Sequence, residues 1–242
     1  MQAFLIAARF LTTLPFPQPS SYEPALIGRS AIHYPLVGLI LGSLLGLAAL
    51  LLASSPVLLQ AALLLSLWVL LTGALHLDGL ADSADAWLGG LGSRERTLAI
   101  MQDPRSGPTA VVTLLLVLLV QFSAITALLE RGQFQALLIA TVLGRASLLA
   151  LFLTTPYARP GGLGAAIAQH LPRRQASTAL GIALAAVILL GGAQGVVACI
   201  VAAGLLWLIR RGLMQRLGGT TGDTAGALLV LTECAVLVVC AI

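Results

Sequence analysis

The segment His76-Leu-Asp-Gly-Leu-Ala-Asp-Ser-Ala-Asp85 sets three carboxylates into a chain that is otherwise largely hydrocarbon. Asp78, Asp82 and Asp85 follow an i, i+4, i+7 spacing, which at about 100° per residue confines them to a helical stripe roughly 60° wide. Like charges so placed repel by roughly a few tenths of a kcal/mol per pair in water, and by more where water is scarce. The next basic residue downstream is Arg94, so no local partner neutralises them. A divalent cation is the simplest remedy. Oxygen ligands with no cysteine nearby are hard donors, which points to Mg²⁺ or Mn²⁺, and Mg²⁺ completes its shell with water and substrate phosphate oxygens. The competing reading is a solvated, charged helix end. His76 stands on the opposite side of such a helix, reaching a substrate only if the helix breaks at Gly79.

Three further loops carry candidates for the same chemistry. In Met101-Gln-Asp-Pro-Arg-Ser-Gly-Pro108, Pro104 restricts Asp103 and Gly107-Pro108 delays helix entry. Asp103 there is a candidate ligand or base, and Arg105 a bidentate phosphate clamp. Tyr157-Ala-Arg-Pro-Gly-Gly-Leu-Gly164 joins Arg159 to three glycines whose backbone can approach an anion closely. Gly218-Gly-Thr-Thr-Gly-Asp-Thr-Ala-Gly226 surrounds Asp223 with small residues and hydroxyls, as expected of a polar pocket roofed by backbone amides.

These loops must be positioned by membrane-spanning helices. With 59% hydrophobic and 9% charged residues, the composition excludes a soluble domain with a polar surface. The expected class is all-α: a polytopic helical membrane protein, one integral-membrane unit over residues 1–242. Seven spans are read, Pro35 to Ala53, Val57 to Leu75, Thr109 to Leu129, Gln135 to Leu153, Thr178 to Leu190, Gly195 to Ile209 and Ala225 to Ala241. As one helix the fifth and sixth would cover about 31 residues and about 46 Å, too long for a bilayer, so a hairpin turning at Gly191-Gly192 is expected. Residues 1–34, interrupted by Arg9 and closed by Pro15, Pro17 and Pro19, read as an interfacial segment with no cleaved signal. Cys199, Cys234 and Cys240 read as packing residues.

Seven spans divide the thirteen basic residues, all arginine, very unevenly. Eleven fall on the side of the N-terminus, only Arg131 on the other, and Arg145 within the fourth span. By the positive-inside rule the arginine-rich side is cytoplasmic, and merging spans five and six would spoil the asymmetry. Asp78, Asp82, Asp85, Asp103 and Asp223 share that side, in loops 76–108, 154–177 and 210–224. Acids able to hold metal beside arginines able to hold phosphate point to a metal and polyphosphate site; the competing reading is that cytoplasmic loops are basic for topogenic reasons alone. Arg145 and Glu233 each lie about 12 Å in from that face. An intramembrane charge costs several kcal/mol unless paired, so the two are expected to form an ion pair or to line a wet cavity floor.

The ordered set of motifs resembles the cobalamin synthase family, the adenosylcobinamide-GDP ribazoletransferases. It comprises Phe10-Leu-Thr-Thr-Leu-Pro15, Tyr34-Pro-Leu-Val-Gly38, His76 to Asp85, Met101 to Gly107, Gly144-Arg145, Tyr157-Ala-Arg159, Gly219 to Gly226, and Glu233. The resemblance implies attack by the ribose 3′-hydroxyl of α-ribazole, or of its 5′-phosphate, on the corrinoid-linked phosphorus of adenosylcobinamide-GDP. GMP is expelled, and adenosylcobalamin or its phosphate is formed. On this reading Asp78, Asp82 and Asp85 hold Mg²⁺, and either Asp82 or Asp223 takes the hydroxyl proton. Arg105 and Arg159 contact the diphosphate, while Asp223 and Thr221 shape the nucleotide or ribazole pocket. His76, Asp103, Arg145 and Glu233 complete the expected substrate contacts. The setting is the bacterial inner membrane, with no nucleic-acid partner and with a homo-oligomer compatible. Outside the family, the rivals are another membrane phosphotransferase, an aspartate-rich prenyltransferase, or a cation transporter. A transporter would favour acids at mid-bilayer, whereas only Glu233 is deep.

Overall fold

Uninterrupted runs of Leu, Val and Ala become helices because an apolar phase offers the backbone no partner but itself. The computed structural model describes residues 1–242 and contains eleven α-helices and no strand. Helices α1 (Gln2–Leu11) and α2 (Pro24–Ser30) lead through the 3₁₀ turn Ala31–His33 into α3 (Tyr34–Leu51). There follow α4 (Val57–Thr72), α5 (Leu75–Gly89), α6 (Arg94–Ile100) and α7 (Pro108–Glu130). The chain ends with α8 (Gln135–Thr154), α9 (Gly162–His170), α10 (Arg173–Leu217) and α11 (Gly222–Ala241). Five segments are long and apolar enough to cross a membrane: Pro24–Leu51, α7, α8, α10 and α11; the bent pair α4–α5 makes a sixth if counted as one. The seven separate spans therefore do not reappear as seven long helices. α4 has only 16 residues, and the fifth and sixth spans are two arms of α10.

Those arms form the expected hairpin. Gly192 leaves helical geometry (φ 54, ψ −130), a conformation only glycine adopts readily. A Cβ on Gly195 would lie 2.4 Å from the carbonyl oxygen of Val187, although eight residues of straight helix would separate the two by about 12 Å. Both ends of α10 accordingly meet one end of α8. Arg173 donates to the Leu153 carbonyl oxygen, and Arg210 to that of Thr154 at 3.0 Å. α8 itself is the central post, buried at nearly every position and packed by α3, α10 and α11. Its inner positions carry Gly144-Arg145.

A second break fixes the site. Gly73 and Ala74 both have positive φ (60° and 56°), and the axis turns by 88° between α4 and α5. Gly73 ends α4 as a left-handed cap two residues before the expected boundary at Leu75. α5 therefore does not continue the second span; it packs across α7 and α11 at one end of the bundle. The flanking regions are also more helical than expected: 76–108 contains α5 and α6, and 154–177 contains α9. The N-terminal segment is not merely superficial, since α1 buries Ile6, Ala7, Ala8 and Leu11, and Thr13 donates to the Leu70 carbonyl oxygen at 2.8 Å. Cys234 and Cys240 are buried and Cys199 half-buried, with no disulfide.

Candidate active site

α5 is one unbroken helix from Leu75 to Gly89, so its three acids do share a stripe. Gly79 is spent on helix contact rather than on a break. A Cβ there would sit 2.8 Å from the Asp223 carbonyl oxygen, and one on Gly226 would sit 3.3 Å from the Cα of His76. Two glycines thus let α5 cross the first turns of α11 almost backbone to backbone, which carries Asp223 to the acids of α5. The charge reaches Asp82 most strongly. Burial, then the charges of Asp78, Asp223 and Asp85, push its carboxyl up to about 6, against the pull of Arg159. No three acidic, histidine or cysteine side chains converge into a ready-made metal cage. Gly79→Ala is expected to force this crossing apart, costing about 1–3 kcal/mol as overpacking does. Turnover should fall with it; thermal unfolding in detergent and an activity assay check both.

The opposite charge comes from a strap. Tyr157 and Thr220 pair as a single parallel bridge, with Ala158 N–H donating to the Thr220 carbonyl at 2.8 Å and Thr220 N–H to that of Pro156 at 2.9 Å. Gly219 permits this approach, since a Cβ would lie 2.5 Å from the Pro156 oxygen. The strap presents Arg159, whose Nη1 donates to Asp223 Oδ2 at 2.8 Å. Its Nε and Nη2 are buried with no hydrogen-bond partner. Thr221 caps α11 through a reciprocal pair with Thr224 and is itself fully buried. Its expected role in lining a pocket becomes one of fixing the helix start that carries Asp223.

The remaining candidates are placed elsewhere. Both oxygens of Asp85 accept backbone N–H groups, of Gly107 and of Ala110 at 2.9 Å, so this carboxylate anchors the start of α7. Asp103 accepts from the Arg105 side chain at 2.7 and 2.9 Å, and that partner holds its carboxyl down to about 2. The pair is local and exposed, and Arg105 is not among the charges that act on Asp82. His76 is buried beside Trp68, Thr72, Gln121 and Glu233, facing away from the acids. Glu233 pairs with Arg145 as charge depth had indicated, joining α11 to α8.

Three findings from known proteins bear on this arrangement. The family described as Cobalamin-5-phosphate synthase matches residues 3–241. This chain belongs to that family. Among similar proteins, the adenosylcobinamide-GDP ribazoletransferase of Stutzerimonas stutzeri is 60% identical over 238 residues, covering 98% of this chain and 97% of its own. That of Pseudomonas fluorescens is 58% identical over 237 residues, covering 98% of each chain. That of Pseudomonas aeruginosa is 57% identical over 242 residues, covering 100% of this chain and 98% of its own. No solved structure matches.

In this cobalamin-5-phosphate synthase family member, two arginines outside the expected set brace the site. Arg94 donates to the carbonyls of Leu217 (2.9 Å) and Ala158 (3.2 Å), tying α6 to both sides of the strap. Arg216 donates to Thr97 at 3.1 Å and lies 4.8 Å from the centre of the Trp87 ring. These roles are not legible in the sequence, because nothing local separates a clamp from an arginine counted only toward the charge asymmetry of the spans.

Proposed function

We propose that this protein transfers the adenosylcobinamide-phosphate group of adenosylcobinamide-GDP to α-ribazole or α-ribazole 5′-phosphate, releasing GMP. The observation that carries the reading is the gathering of Asp78, Asp82, Asp223 and Arg159, from three separated segments, at one end of a membrane helix bundle. We place that end at the cytoplasmic face of the inner membrane, on the arginine asymmetry.

The donor set fits Mg²⁺ held largely by water and substrate: oxygen atoms only, with the negative charges around Asp82 only partly offset by Arg159, and with no three ligand side chains converging. Asp78 is the residue that would hold it, leaving the rest of the shell to water and phosphate oxygens, and Asp82 is kept free of the ion for the proton. When bound, the ion supplies charge neutralisation to the diphosphate and to the departing phosphate. The protein does the rest. Arg159, with two nitrogens unpartnered, is oriented by Asp223 and donates to a diphosphate oxygen. Asp82, its proton affinity raised by its neighbours, accepts the proton of the ribose 3′-hydroxyl as that oxygen bonds to phosphorus and the bond from phosphorus to the GMP oxygen breaks.

Purified protein given adenosylcobinamide-GDP and α-ribazole 5′-phosphate is expected to release GMP and corrinoid product in equal amounts with Mg²⁺, and neither after chelation. GMP without the joined product, or cation uptake into vesicles with neither product, would overturn the assignment.

A further inference from the structure

Beside the strap lies a cavity of about 740 Å³, of whose lining residues only Arg159 has a role above. The end of α8 and the strap form one wall, through Phe152, Thr155, Tyr157 and Arg159; α9 and the start of α10 form the other, through Gln169 and Arg173. Its volume suits a nucleotide-sized ligand. No acidic side chain lines it, and two guanidinium groups do. Arg173 spends one nitrogen on the Leu153 carbonyl, and Arg159 one on Asp223. Forks so anchored keep further N–H groups in a fixed plane, the geometry that matches phosphate oxygens. Tyr157 and Phe152, near-parallel at 6.4 Å, line the same cavity, so it offers an aromatic surface as well as positive charge. Tyr157 is held in place by Gly164, where a Cβ would lie 2.4 Å from the ring. The α9 wall is held as firmly: Gly28 of α2 packs so closely that a Cβ would be 2.4 Å from the His170 backbone.

We infer that this cavity is the subsite for a nucleoside 5′-phosphate, with Arg173 taking the phosphate and Tyr157 flanking the base. It rests on the transfer reaction proposed above, which offers two such ligands: the acceptor α-ribazole 5′-phosphate and the guanylate that departs. Arg159 belongs to both regions, facing the cavity and bonding Asp223, so a ligand seated here abuts the acidic cluster through one side chain.

Equilibrium binding of GMP, guanosine, α-ribazole 5′-phosphate and α-ribazole to the full chain in detergent tests this. Ala168, on the cavity wall, is changed to Phe to fill the space, and Arg173 to Gln to remove the charge. Gln169→Trp serves as a second filling variant should Ala168→Phe fail to fold, with thermal unfolding as the control. One nucleotide should bind wild type about tenfold or more tightly than its nucleoside, as a charged hydrogen bond to phosphate provides. That preference should vanish in Arg173→Gln, and filling should weaken the same nucleotide and spare the other. The nucleotide affected names the source: α-ribazole 5′-phosphate for the acceptor, GMP for the leaving group. Folded filling variants that bind all four ligands like wild type overturn the subsite, even where transfer activity is intact. Nucleotide binding lost on filling, in a protein with no transfer activity, overturns the reaction and leaves the subsite standing.

Discussion

Asp82→Asn lowers turnover by about a thousandfold, the middle of the range for loss of a general base, and leaves the apo fold at least as stable as before. The two effects have one cause. Asp82 is only partly buried, yet desolvation and the negative charges of Asp78, Asp223 and Asp85 lift its carboxyl to about 6. The folded state therefore binds a proton that the unfolded chain has already released, and stability declines as pH rises from about 4 to about 6. Because Asp82 is partly open to solvent, screening limits this cost to about 1 kcal/mol. Asparagine removes it, so at pH 7.5 the apo variant should unfold a few degrees higher, and at pH 4 at the same temperature as wild type. Single-turnover GMP release at saturating Mg²⁺ measures the chemistry. Wild-type rates should rise with pH as Asp82 loses its proton, and the variant should lack that limb. Asp78→Asn differs in kind: exposed, and the first acid of the stripe, it should raise the Mg²⁺ requirement about tenfold and recover turnover at high Mg²⁺. A variant of Asp82 within tenfold of wild-type turnover would remove it from the base role.

Much of this site was legible because charge is conspicuous in hydrocarbon. The stripe Asp78, Asp82 and Asp85 follows from helical periodicity, and α5 keeps it. Depth alone left Arg145 and Glu233 two outcomes, an ion pair or a wet cavity floor, and the structure has the pair. The α10 hairpin followed from the thickness of a bilayer. What escaped came partly from contacts between segments far apart in sequence and partly from local geometry that residue types do not announce. Asp85 shares the spacing of its neighbours, and only the arrival of Gly107 and Ala110 turns it into an anchor for α7. Arg105 reads as a phosphate clamp beside Asp103, but a neighbour two residues away satisfies it first. The turn at Gly73 and Ala74 was the sharpest loss. Ala74 adopts a left-handed conformation that alanine disfavours by about 1–2 kcal/mol, so its residue type gave no warning. Without that turn, α5 would have continued along the axis of α4, and the crossing at Gly79 would not exist.

Glu233→Ala should destabilise the protein by about 3–5 kcal/mol, the cost of leaving a buried charge uncompensated. Arg145 is wholly buried on the central helix α8, and Glu233 is its ion-pair partner. Two of its nitrogens, Nε and Nη2, are already without a hydrogen-bond partner, so nothing nearby stands ready to replace the carboxylate. The contact is also shaped for glutamate, because Gly144 leaves the space that its side chain fills: a Cβ there would lie 2.6 Å from the Glu233 Cγ. Removing both charges tests the reasoning better than removing one. Arg145→Met with Glu233→Leu supplies apolar bulk in place of the pair, and should recover most of the loss, as replacing a buried ion pair by packed hydrocarbon often does. Thermal unfolding in detergent of Arg145→Met, of Glu233→Leu and of the double variant gives the coupling directly. Glu233 lies ten residues beyond Asp223, about 15 Å along α11, so the double variant, once folded, should keep its Mg²⁺ dependence and its rate within a few-fold of wild type. If the double variant were as unstable as Glu233→Ala, the pair would be required for packing geometry rather than charge balance. If it folded well but lost turnover, Glu233 would belong to the chemistry, and the reactive region would have to extend beneath α5 through the small cavity that Glu233 shares with His76 and Gln121.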